Sequence, residues 1–112
     1  MRCANKFAMP GTKELVGHTM SVVAEVTEIP CGTILSRCSR AEVVDARWMA
    51  VYLLHKSGVY TMAIAEHMGI SPRYVQYIIT DFADRISVGR QLRTKYEQAA
   101  NKLRNNLEIT AL

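Results

Sequence analysis

TMAIAEHMGISPRYVQYII, running from Thr61 to Ile79, divides into two short helical segments on either side of Met68-Gly69-Ile70-Ser71. Gly69 tolerates the positive φ that a tight turn between helices demands. Ser71 is placed to cap the free amides of the second segment, and Pro72 fits its first position, where no amide hydrogen is required. Ile64, Met68, Ile70, Val75 and Ile78 fall where such a pair buries apolar surface, and Ala65 is small where the two helices cross. At 3.6 residues per turn Val75, Ile78, Ile79 and Phe82 share an inward face, whereas Arg73, Gln76, Tyr77 and Thr80 point outward. This is helix-turn-helix spacing, in which the second helix enters the DNA major groove and its first residues meet base edges. In that role Arg73 suits a guanine, Gln76 an adenine, and Tyr77 a phosphate or a thymine methyl. Any pair of packed helices meets the apolar spacing, so the outward face carries the functional inference.

Upstream, Glu42 to Lys56 is free of Gly and Pro and sets Val43, Ala46, Met49, Ala50, Leu53 and Leu54 on one stripe. It is the expected central helix, ended by Lys56-Ser57-Gly58. Trp48 and Tyr52 form an i, i+4 aromatic pair on its other side, and that pattern predicts a second helix covering them. Before it, Ile34 and Leu35 offer an apolar anchor, and Ser36-Arg37-Cys38-Ser39-Arg40 reads as a basic loop, either a solvated connection or a segment that lies along a phosphate backbone or dips into the minor groove. Met20, Val23, Ala24 and Thr27 recur with helical spacing from His18 to Ile29, where Pro30 closes the segment. Residues 1–17 read as a flexible leader. Downstream, the second motif helix should fade near Asp84, and Ser87-Val88-Gly89 should break the chain. Leu92, Tyr96, Ala99, Leu103 and Leu107 then mark one face of a last helix, which packs on the domain or pairs with a second copy as a homodimer.

These elements predict an all-α fold, a helix-turn-helix-containing helical bundle, as one domain over residues 18–108. The chain has 112 residues, with 14 Lys and Arg against 10 Asp and Glu, a formal charge of +4 and a sequence pI of about 9.2. That balance suits a polyanionic partner. Cys3, Cys31 and Cys38 show neither CxxC spacing nor a Cys/His cluster, which predicts free thiols in a reducing cytoplasm and no metal site. The longest apolar run, Trp48 to Leu54, is too short to span a bilayer, so no membrane partner is expected. His18, His55 and His67 lie beside no Cys or carboxylate in a catalytic spacing, so neither an enzyme nor a cofactor is expected.

SRCSRAEVVDARWMAVYL, Ser36 to Leu53, resembles the basic loop and following helix of the C-terminal DNA-binding domain of the replication initiator DnaA. The match runs without a gap through Ala46-Arg47 and Met49-Ala50, and Ile64, Met68-Gly69, Val75 and Phe82 continue it where that family keeps its core. The resemblance covers about residues 19 to 107. It implies a Trp-repressor-like fold that binds duplex DNA through the second motif helix, with Arg47 matching an arginine that contacts phosphate. The family's minor-groove arginine falls at Ser39, with Arg40 one residue later. Its Asp-His-Thr-Thr signature is replaced by Ser71-Pro72-Arg73-Tyr74, so recognition of the initiator's own DNA sequence is not implied. Trp48 stands in place of the family's glutamine, and there is no GxxxxGK[ST] phosphate loop.

The expected partner is therefore double-stranded DNA, and the candidate DNA contacts are Arg37, Arg40, Arg47, Thr61, Ser71, Arg73, Tyr74, Gln76 and Tyr77. The expected roles are those of a small transcription regulator or a replication accessory factor. The alternative is a protein-interaction module that kept the fold and lost DNA binding, with Trp48, Tyr52 or the last helix as its contact.

Overall fold

A computed structural model describes residues 12–111, with side chains described through residue 105. Its elements are α1 (Thr12–Thr27), α2 (Cys31–Ile34), α3 (Ala41–Lys56), α4 (Thr61–Met68), α5 (Pro72–Val88) and α6 (Arg90–Ala111). The fold is an all-helical bundle, with no strand among the described residues.

α3 is the helix on which the others pack. Val43, Ala46, Trp48, Met49, Ala50, Val51, Tyr52, Leu53 and Leu54 are all buried, so the helix is apolar nearly all round, as an enclosed helix must be. α1, α2, α4, α5 and α6 all pack on it, and α1 and α6 also pack on each other. The aromatic pair on α3 is covered as the spacing predicts. Tyr52 meets Phe82 of α5 at 5.2 Å and Tyr96 of α6 at 5.5 Å between ring centroids. Phe82 is fully buried, and deleting a ring so placed costs roughly 3–5 kcal/mol.

Three boundaries differ from the expected ones. The helix expected from His18 begins at Thr12, so residues 12–17 of the expected leader are helical; residues 1–11 lie outside the described residues. Leu15 and Val16 are half-buried against the core and Thr19 is fully buried, which extends the inward stripe across the exposed Gly17. At its other end α1 stops at Thr27, because Glu28 turns the chain with a left-handed φ of 61°. Pro30 then starts α2, its carbonyl accepting from the amides of Thr33 and Ile34 at 3.0 Å. Ile34 is fully buried and Leu35 is exposed, so the anchor before the basic loop is Ile34 alone.

α5 continues past Asp84 to Val88, since Ile86 packs on the core and only Gly89 leaves the helical region, at φ −99° and ψ 109°. Arg93 of α6 reaches back to the exposed carbonyls of Ile86 and Ser87 at 3.3 and 3.4 Å. α6 turns Leu92, Tyr96, Ala99 and Leu103 inward as expected; Leu107 lies beyond the described side chains.

Candidate nucleic-acid interface

The turn between α4 and α5 is built by the local chemistry of four residues. Gly69 takes a φ of 72°, closing α4 in the left-handed conformation, and Ile70 N–H donates to the Ala65 carbonyl at 3.0 Å. Ser71 caps α5, its Oγ accepting from Tyr74 N–H at 3.1 Å, and Pro72 occupies the first helical position. Ile64, Ala65, Met68, Val75 and Ile78 are buried between the helices and the core. A side-chain bond joins the two helix starts: Gln76 Nε2 donates to Thr61 Oγ1 at 3.1 Å. Thr61 and Ser71 therefore act on the geometry of the motif.

On the outward face Arg73, Gln76, Tyr77 and Thr80 are exposed. Arg73 meets no acceptor among the described residues, so its five donors face solvent at the start of α5. Gln76 spends one amide hydrogen on Thr61 and keeps a hydrogen and its carbonyl oxygen, the donor-acceptor pair that matches an adenine edge. Tyr74 turns toward α3, where its hydroxyl accepts from the Trp48 indole N–H at 3.3 Å. Tyr77 meets the Trp48 ring edge-on at 5.7 Å.

Trp48 is a residue whose part sequence reasoning missed. Only 4% exposed, it lies between α3 and the start of α5 and carries the Arg85 guanidinium over its ring at 4.4 Å. Arg85 bonds Asp45 and Asp81, both at 3.1 Å, so this cation serves helix packing. The i, i+4 spacing of Asp81 and Arg85 was a visible signal for half of that arrangement. Nothing in the spacing pointed to Asp45.

The basic loop between α2 and α3 is held by Arg47. Its Nε donates to the Ile34 carbonyl at 2.8 Å, and its Nη2 to the carbonyls of Ser36 at 2.6 Å and Cys38 at 3.0 Å. A planar guanidinium fits such a set of acceptors, and Arg47 is half-buried by it. The arginine matched by resemblance to a phosphate contact thus spends these donors on the loop, leaving Nη1. Arg37 is exposed and meets no acceptor among the described residues, whereas Arg40 makes a solvent-exposed ion pair with Glu42 at 3.6 Å. Such a pair contributes at most about 1 kcal/mol and exchanges readily for a phosphate. Arg47 and Trp48 are consecutive in α3: one fastens the loop, the other the start of α5.

A cavity of about 320 Å³ opens where α1, α3 and α6 meet, with Ile29, Ala46, Met49 and Leu92 inside and Glu42, Asp45, Gln91 and Lys95 around them. Its two carboxylates already pair with Arg40 and Arg85. Cys31 and Cys38 are free and half-buried, and no cluster of three or more His, Cys, Asp or Glu placed to hold a metal occurs among the described residues.

Helices α3 to α5, with the left-handed glycine turn and the capped second helix, make a helix-turn-helix domain, an architecture of DNA binding. Residues 41–87 match the family model of the homeodomain-like domain, which places α3 in the same unit as the motif. No match was found among curated proteins. No helix among the described residues is long and apolar enough to cross a membrane.

Proposed function

We propose that the chain is a double-stranded DNA-binding protein that lays α5 in the major groove, acting as a small transcription regulator or an accessory factor in replication. The observation that carries this reading is the start of α5. There a capped helix presents the uncommitted Arg73 guanidinium beside a Gln76 amide whose orientation Thr61 restricts. Arg73 is the guanine reader and Gln76 the adenine reader, with Tyr77 against a thymine methyl or the backbone. Arg37 and Arg40 follow the phosphates from the loop, and Arg47 keeps that loop in place. The likeness of Ser36–Leu53 to the DnaA C-terminal domain supports a distant relation to that domain and a place in the cytoplasm. The activity is binding, without catalysis.

Selection of bound duplexes from a random pool tests the proposal. One recurring sequence of a few base pairs is expected to be enriched. Retention of no duplex above background would contradict it.

The alternative, a protein-interaction module, loses Trp48 and Tyr52 as contacts because both are buried, and draws instead on Tyr60 and Met62, which are 59% and 69% exposed at the start of α4. Self-association through α6 has less behind it, since its exposed described positions, among them Arg93, Lys95, Glu97, Asn101 and Lys102, are polar.

A further inference from the structure

Tyr74 stands apart from its neighbours on α5. At 100° per residue it lies on the flank that faces α3, turned away from the centre of the face formed by Arg73, Gln76, Tyr77 and Thr80. Its ring stacks on Tyr77 (centroids 6.2 Å, interplanar angle 15°) and meets Trp48 edge-on at 6.3 Å, which fixes the direction of the phenol. Trp48 N–H then donates to its oxygen at 3.3 Å.

An indole N–H is a donor only, so it cannot take the phenolic hydrogen in return. That hydrogen has no acceptor among the described residues, although 38% of the residue is exposed. Accepting a bond also polarises the O–H group toward stronger donation. The result is a neutral donor, held in one place, at the edge of a groove-reading face. Phosphate oxygens line the walls of the groove on either side of a recognition helix, and base edges lie ahead of its centre.

We propose that the Tyr74 hydroxyl donates to a DNA backbone phosphate and sets the register of α5, with Trp48 as the positioning residue that holds it. This rests on the DNA-binding reading above. Its signature differs from that of an arginine contact, because a neutral donor displaces no counterion.

Tyr74→Phe and Trp48→Phe are compared with the wild type on the duplex enriched by selection, over a series of salt concentrations, with folding checked by circular dichroism melts. Tyr74→Phe is expected to weaken binding about ten-fold at every salt concentration, leaving the log-log salt slope unchanged. Trp48→Phe keeps a ring and loses the N–H; it should cost a similar factor, and the double variant no more than either single change. Methylphosphonate replacement of single phosphates should reveal one position that matters to the wild type and not to Tyr74→Phe. If Trp48→Phe fails to fold, Tyr74→Phe and the methylphosphonate scan decide alone. Equal affinity of Tyr74→Phe and wild type, or a salt slope shallower by about one, would overturn the inference and leave DNA binding standing. Failure of the wild type to bind any duplex would instead remove both.

Discussion

Removing Arg47 should loosen the loop before it changes anything else. Arg47→Ala deletes three hydrogen bonds, to the carbonyls of Ile34, Ser36 and Cys38. Each contributes about 1 kcal/mol net, and the Ser36 carbonyl can turn to water once released, which puts the loss at about 2–3 kcal/mol. For a domain of this size that lowers the melting temperature by roughly 8–12 °C. Arg47→Lys should recover only part of it, since one ammonium cannot span three carbonyls as the guanidinium does. The assay is a thermal melt followed by circular dichroism, with affinity for selected and unselected duplexes measured alongside. Because the freed loop carries Arg37 and Arg40, binding to both kinds of duplex should weaken alike. A melting temperature within about 2 °C of the wild type would refute the tether. If affinity fell at the same time, Arg47 would be a phosphate contact instead.

Arg73→Ala should reduce affinity for the selected sequence by roughly 1–3 kcal/mol and relax base preference at one position, read by repeating the selection with the variant. The Thr19 hydroxyl is fully buried without a hydrogen-bond partner among the described residues, so Thr19→Val, which keeps the shape, should raise stability by about 1 kcal/mol in denaturant titrations. Burial raises the Tyr96 phenol above its ordinary value of 10.0, reinforced by Tyr52 and opposed by Arg104. Its folded form thus favours the neutral ring: the contribution is complete below the unfolded value and is lost as pH rises through the folded one. Thermal melts from about pH 9 to about pH 12 should fall more steeply for the wild type than for Tyr96→Phe.

The parts of this architecture legible in the sequence are those decided within a turn or two of chain. Gly69, Ser71 and Pro72 specify the motif by local chemistry, and the turn and cap form where they stand. Trp48 and Tyr52 announced that something must cover them, though not what, since their partners on α5 and α6 come from distant sequence. The start of α1 was hidden because a buried threonine interrupts an otherwise apolar stripe and an exposed glycine follows its first residues, and polarity there hides burial.

Cation fates were the least legible. Arg37, Arg47, Arg85 and Arg93 look alike in a charge census, yet Arg47 and Arg93 bind backbone carbonyls and Arg85 binds a carboxylate forty positions away. Only tertiary structure separates them from Arg37 and Arg73. That separation lowers the number of cations available to DNA from what the sequence suggests.

The salt dependence of binding tests the central claim most directly, because it counts phosphates that the chain neutralises. With Arg37 and Arg40 engaged on phosphates, Arg73 on a base edge and Arg47 retained by the loop, affinity for the selected duplex should fall with a log-log slope of about −1.8. A flat dependence, with duplex binding no tighter than about micromolar at any salt, would contradict DNA binding as the role of this chain.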